Sequence, residues 1–106
     1  MPQTPVEIEF YYFHDCPGYK QAWSDLLEAL VETGIPATIT PVSVEDMETA
    51  AKVQFAGSPS IKINGVDLEG YDGPGVLVCR IYRDNEGNGW PGSELIVRKL
   101  KEHQSE

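Results

Sequence analysis

Basic residues are scarce in this chain: eight lysines and arginines stand against seventeen acidic side chains, a formal charge of −9. A field of that sign repels phosphate backbones and anionic lipid headgroups, so neither nucleic-acid nor membrane partners are expected. Cysteine is scarcer. Cys16 and Cys79, 63 positions apart, are too few for a disulfide scaffold or a four-cysteine zinc site, and any role they have is as thiols. No apolar run approaches the length of a membrane span. Met1–Pro5 has neither the basic nor the apolar region of a secretory leader, which makes the cytoplasm the expected location. Internal repeats, low-complexity tracts and linkers are also missing. What is there is ordinary globular composition: 106 residues, 41% hydrophobic and 24% charged, enough for one domain over residues 1–106 with its own core.

Hydrophobic periodicity sets the elements. Val6–Phe13 alternates apolar with acidic residues and then turns aromatic, as a strand does when its far end becomes buried. Trp23, Leu26, Leu27, Leu30 and Val31 recur at helical spacing until Gly34 and Pro36, which predicts a helix starting near Cys16 or Pro17. Ala37–Val44 reads as a strand, and Pro41 sends it to a sheet edge because proline cannot donate to a ladder. Met47, Ala50, Ala51, Val53 and Phe55 predict a short amphipathic helix opened by Ser43 or Asp46 and ended by Gly57-Ser58-Pro59. Two further strands, Ser60–Asn64 and Val76–Arg83, are expected to pair antiparallel across the glycine-rich loop between them. A polar turn over Asp84–Gly92 precedes a final helix capped by Ser93 and carrying Leu95, Ile96, Val97 and Leu100. The order β-α-β-α-β-β-α describes an α/β sandwich with a mixed four-stranded sheet.

The residues with chemistry are few. At a helix start the Cys16 sulfur would face unpaired backbone N–H groups and the positive end of the helix dipole, both favouring thiolate. Asp15 opposes a second anion, and a protonated His14 would offset Asp15. Cys79 lies within an apolar strand, where cysteine usually serves as a small buried hydrophobe. A resolving role toward Cys16 requires alpha carbons within about 7 Å. In a simple hairpin Tyr82, rather than Cys79, would lie nearest Pro59. The oxygen-rich turn Asp84-Asn85-Glu86-Gly87-Asn88-Gly89 has Leu95 where a calcium loop needs its bidentate glutamate. His14, Cys16 and the distant His103 make no complete zinc set. No metal and no resident cofactor are therefore expected.

A strand, a Cys-Pro at a helix start and a Ser-Pro opening the third strand together resemble the thioredoxin fold over nearly the whole chain. Within that fold, Tyr-Tyr-Phe-His-Asp-Cys-Pro, Gly-Ser-Pro-Ser-Ile-Lys-Ile-Asn-Gly and Cys-Arg-Ile-Tyr are similar to small bacterial thioredoxin-like proteins sometimes labelled alkylmercury lyase-like. The resemblance implies a cis proline at Pro59, with the Ser58 backbone aimed at an extended partner and Pro17 and Tyr19 beside the sulfur. Tyr19 stands where thioredoxins carry a second cysteine. That departure excludes a Cys-x-x-Cys cycle and leaves a monothiol route, resolved by glutathione, another protein or Cys79.

Three readings follow. In the first, Cys16 attacks a disulfide or glutathione adduct of a small molecule or protein, with glutathione as co-substrate; it expects an accessible Cys16 of low pKa. In the second, Cys16 and Cys79 bind a soft metal or organomercurial, which expects two sulfurs within a few ångströms. Asp15 is the only evident proton donor for organomercurial cleavage. In the third, the fold is a redox-inactive interaction module with a buried, unreactive Cys16. The first organises the site as Cys16 for catalysis, with Pro17, Tyr19, Ser58 and Pro59 contacting substrate.

Overall fold

The computed structural model describes residues Pro5–Gln104. Met1–Thr4, most of the segment read for a leader, lie outside the described residues. The first strand, β1, covers Val6–Tyr12, and its alternation divides the molecule into two sides. Val6, Ile8 and Phe10 face a core shared with α1 (Tyr19–Thr33) and α3 (Ser93–Gln104). Tyr11 faces the other way, into a smaller cluster with Ala50 of α2 (Met47–Val53), Val44 and Phe55. Glu7 lies on that second side and is exposed, because the short α2 covers only part of the sheet.

A mixed four-stranded sheet is present, with β1 flanked by β2 (Ala37–Ser43) and β4 (Ser60–Ile63) and with β5 (Val66–Asp67) outside β4, in the place expected for Val76–Arg83. Strand β2 (Ala37–Ser43) runs parallel to β1 at the edge, where Pro41 lies opposite Phe10. Strand β4 (Ser60–Ile63) runs antiparallel to β1 on its other side, with Phe10 opposite Ile61. Asp46 caps α2, its carboxylate accepting from the Thr49 amide at 2.7 Å. Gly34 ends α1, donating its N–H to the Leu30 carbonyl at 3.0 Å.

Two expectations fail, and both failures move a cysteine. The strand Ser60–Asn64 does not pair with Val76–Arg83. Instead Asn64 and Gly65, at φ 51° and 83°, form a two-residue turn that returns the chain as β5 (Val66–Asp67). Asparagine and glycine are the residues that enter this left-handed region at least cost, so the nearest pairing wins over the distant one. The later strand, β6 (Val76–Cys79), then lies parallel to β3 (Ala56–Ser58) in a separate two-stranded sheet, with Ser58 opposite Cys79. Gly75 makes this possible: a Cβ there would lie 1.9 Å from the Ala50 carbonyl oxygen, so only glycine lets β6 start against α2.

The second correction concerns α1, which begins at Tyr19 with Gly18 as its N-cap. Cys16 is two residues before the cap, in a turn closed by its own N–H to the Phe13 carbonyl at 3.1 Å. The proline in the motif therefore sits outside the helix rather than in its first turn. Among the described residues no helix is long and apolar enough to cross a membrane.

Candidate functional site

The two cysteines meet at Ser58. As β1 runs out, the Phe13 amide donates to the Ser58 hydroxyl at 3.2 Å, which fixes the turn that carries Cys16. The Cys16 thiol then donates to the Ser58 carbonyl, Sγ to O 3.2 Å, and the residue is only 3% exposed. The same carbonyl accepts the Arg80 amide at 2.9 Å, which fixes β6 on the other side. Cys79, the residue before Arg80, pairs with Ser58 across the parallel strands and is exposed. Both thiols are free. Desolvation first, and the neighbouring Cys16 sulfur second, push the Cys79 thiol above its ordinary value.

These positions overturn three expectations. Cys16 is neither at a helix terminus nor accessible. Cys79 is not a buried small hydrophobe, because β6 stands at the margin of the fold with Val78 and Cys79 both turned to solvent. The reach of Cys79 toward Cys16, open from the sequence, follows from the parallel β3–β6 pairing, which replaces the simple hairpin and sets Cys79 opposite Ser58.

Behind the thiols lies a buried polar clamp. Ser58–Pro59 is a cis peptide, and the Pro59 carbonyl accepts from the Tyr82 hydroxyl at 2.5 Å. Tyr82 is fully buried, and that burial pushes its phenol well above the usual range. The Arg80 guanidinium lies 4.4 Å above the Tyr82 ring and grips Asp67 with two bonds of 2.6 and 2.7 Å. It also reaches the Ser60 hydroxyl at 3.2 Å and Glu69 at 3.6 Å, while Ser60 donates to the Gly57 carbonyl. Burial alone would raise the Asp67 carboxyl. The Arg80 hydrogen bonds and charge, with the Tyr71 and Glu69 amides, outweigh it and hold the carboxyl below the usual range. Cys79 and Pro59 are thus both tied to one paired arginine. The sequence carried a hint: an arginine inside Val-Leu-Val-Cys-Arg-Ile-Tyr needs a buried acid, because an unpaired buried charge is prohibitively costly.

The remaining predicted residues have neighbours of their own. Pro17 is exposed beside Cys16, and Gly18 packs so tightly that a Cβ would lie 2.2 Å from the Gly89 carbonyl oxygen. Tyr19 stacks on Tyr12 at 4.8 Å and helps line an apolar hollow of about 330 Å³ with Phe10, Trp23, Lys20 and Pro41. His14 is exposed and its Nδ1 lies 2.9 Å from Glu45. Glu45, bonded first by Ser43 and then by His14, is held below the usual carboxylate range. A hollow of about 900 Å³ along α3 contains neither cysteine. The Asp84–Gly89 segment is a turn in which the Tyr82 amide bonds the Asn88 carbonyl at 2.8 Å. No group of three or more metal-ligating side chains occurs among the described residues.

Comparison of the chain with protein-family models, curated proteins and solved structures gives no match in any of the three.

Proposed function

We propose that this chain performs thiol–disulfide exchange on a thioredoxin-like frame, with Cys16 and Cys79 acting as one redox pair. The observation that carries the reading is the meeting of a buried and an exposed thiol around the single residue Ser58. A parallel β1–β2 pair followed by the β4–β5 hairpin and a covering helix supports the thioredoxin-like frame. In this chemistry the two thiols give up two electrons and two protons and become one disulfide, while a partner disulfide becomes two thiols. The second sulfur replaces the one that Tyr19 displaces from the helix. Glutathione disulfide or a protein disulfide serves as partner.

The test is incubation of the reduced protein with oxidised glutathione, read by mass spectrometry and thiol counting. The expected product has lost both free thiols and the mass of two hydrogens. Iodoacetamide alkylation supplies the electrostatic check. Because the Cys79 thiol is raised, its thiolate fraction at neutral pH lies below that of an ordinary cysteine. Its alkylation therefore climbs with pH through a midpoint above the ordinary value, and Cys16→Ser moves that midpoint down by removing one of the groups that raise it.

A second reading keeps the same pair. Two sulfurs with no third donor among the described residues suit a two-coordinate soft ion or an organomercurial. Retention of both thiols under oxidised glutathione, together with stoichiometric mercuric-ion binding lost in either single variant, would favour it.

A further inference from the structure

We propose that Cys79, not Cys16, is the sulfur that enters the mixed disulfide with the incoming partner, and that Cys16 resolves it. The inference rests on the redox-pair reading and assigns the order of events within it. Thiol–disulfide exchange proceeds by attack of one sulfur on another with a third leaving, so the first sulfur must admit a bulky disulfide from outside. Cys16 cannot do this. It is 3% exposed, its thiol is turned onto the Ser58 carbonyl, and the surrounding Ser58 and Ser60 are buried as well. Cys79 is exposed near the end of β6, which pairs only with β3 among the described residues. Exposed Val78 and Ile81 flank it and give an approaching partner an apolar rim. The one charged neighbour in sequence, Arg80, is turned inward and paired with Asp67, so it neither attracts nor repels at the sulfur.

Cys79 loses its proton to solvent and attacks one sulfur of glutathione disulfide, forming a protein–glutathione disulfide and releasing one glutathione thiolate. Cys16 then loses its proton to solvent and attacks the Cys79 sulfur. The Cys16–Cys79 disulfide forms and the second glutathione thiolate leaves. One glutathione disulfide has been reduced to two thiols and the protein dithiol oxidised to a disulfide. In the reverse direction an external thiolate reaches the Cys79 sulfur and Cys16 is the leaving group. This is the opposite of an order in which the Cys-Pro cysteine reacts first.

The experiment uses the full chain with oxidised glutathione as probe. Cys16→Ser is expected to accumulate a stable adduct of one glutathione at Cys79. Cys79→Ser is expected to react at Cys16 more slowly by about tenfold or more, the penalty of access to a buried sulfur. The wild type, quenched with acid at early times and mapped by peptide mass spectrometry, gives the same information if either variant folds poorly: the transient adduct sits on Cys79. An early adduct on Cys16, or equal rates for the two variants, overturns the order while leaving the redox pair intact. Failure of the wild type to form the internal disulfide at all, with each thiol reacting independently, overturns the redox-pair reading itself and this order with it.

Discussion

The two sides of the sheet are unequal, and β6, the strand that carries Cys79, packs against the poorer one. Among the described residues the α1/α3 side buries fourteen hydrophobic residues in one cluster, from Val6 through Leu26 and Ile61 to Leu100. The α2 side buries four: Tyr11, Val44, Ala50 and Phe55. Full burial of one large aliphatic or aromatic side chain contributes about 1.5 to 3 kcal/mol, so stability is concentrated on the first side. The second side holds β3 and β6 by one irregular parallel pairing, the Gly75 approach and the Arg80 clamp. The lesson is a division of labour: a well-packed side supports the chain, and a sparsely packed side brings two distant thiols to one residue and leaves one exposed.

The sharpest way to break that contrast is Arg80→Ala, which removes the buried guanidinium that pairs with Asp67. Asp67 would be left buried without its partner, and removing one member of a buried pair typically costs about 3 to 5 kcal/mol. Denaturant unfolding should show that loss, and Cys16–Cys79 disulfide formation should slow because β6 keeps its backbone bond to Ser58 but loses the side-chain anchor to Asp67 and Ser60. The pair also predicts a pH limit. The Asp67 carboxyl is depressed in the fold, so its contribution is fully present above the unfolded value of about 3.9 and is lost as pH falls below it toward the folded value. In Arg80→Ala this acid-side loss should shrink.

Next in size is Leu26→Ala, a truncation in the large core with an expected cost of about 2 to 5 kcal/mol. Under native conditions it should leave Cys79 alkylation unchanged; a change in alkylation that follows the unfolding loss would erase the distinction between the sides. Gly75→Ala is the reciprocal case. Its Cβ collides with the Ala50 carbonyl, so it should shift β6 and alter internal disulfide formation by more than its smaller effect on the unfolding midpoint would suggest. The smallest effect belongs to Asp46→Ala, which removes the cap of α2. Faster hydrogen exchange at the Thr49 amide, with little movement of the global midpoint, would show that α2 is a local unit.

Much of the frame was readable from local rules. The alternation of Val6, Ile8 and Phe10, the helical spacing through Leu26, the Pro41 edge, the Gly34 stop and the Asp46 cap each depend on a few adjacent residues. They gave the three helices and the strands β1, β2, β4 and β6, but not the short β3 and β5, and it is β5 rather than β6 that completes the mixed four-stranded sheet. The candidate site was legible only as a set of residue types. Cys16, Ser58 and Pro59 do come together, but the environment expected for Cys16 was wrong because the helix starts at Tyr19 rather than near Cys16 or Pro17.

Cys79 was misread for a different reason. Its surroundings depend on which of two strands Ser60–Ile63 chooses, and nothing local to Val76–Cys79 reports that choice. The Asn64-Gly65 turn gave β4 its nearest partner, and β6 was left to pair with β3 instead. Sequence by itself determined the helices and the longer strands, the acidic composition and the two thiols, because periodicity, capping and composition act over short range. Tertiary structure alone decided that the thiols share Ser58, that the first is buried and the second exposed, and that Arg80 finds Asp67. These depend on strand pairing and on compensation of a buried charge, both of which join residues far apart in the chain.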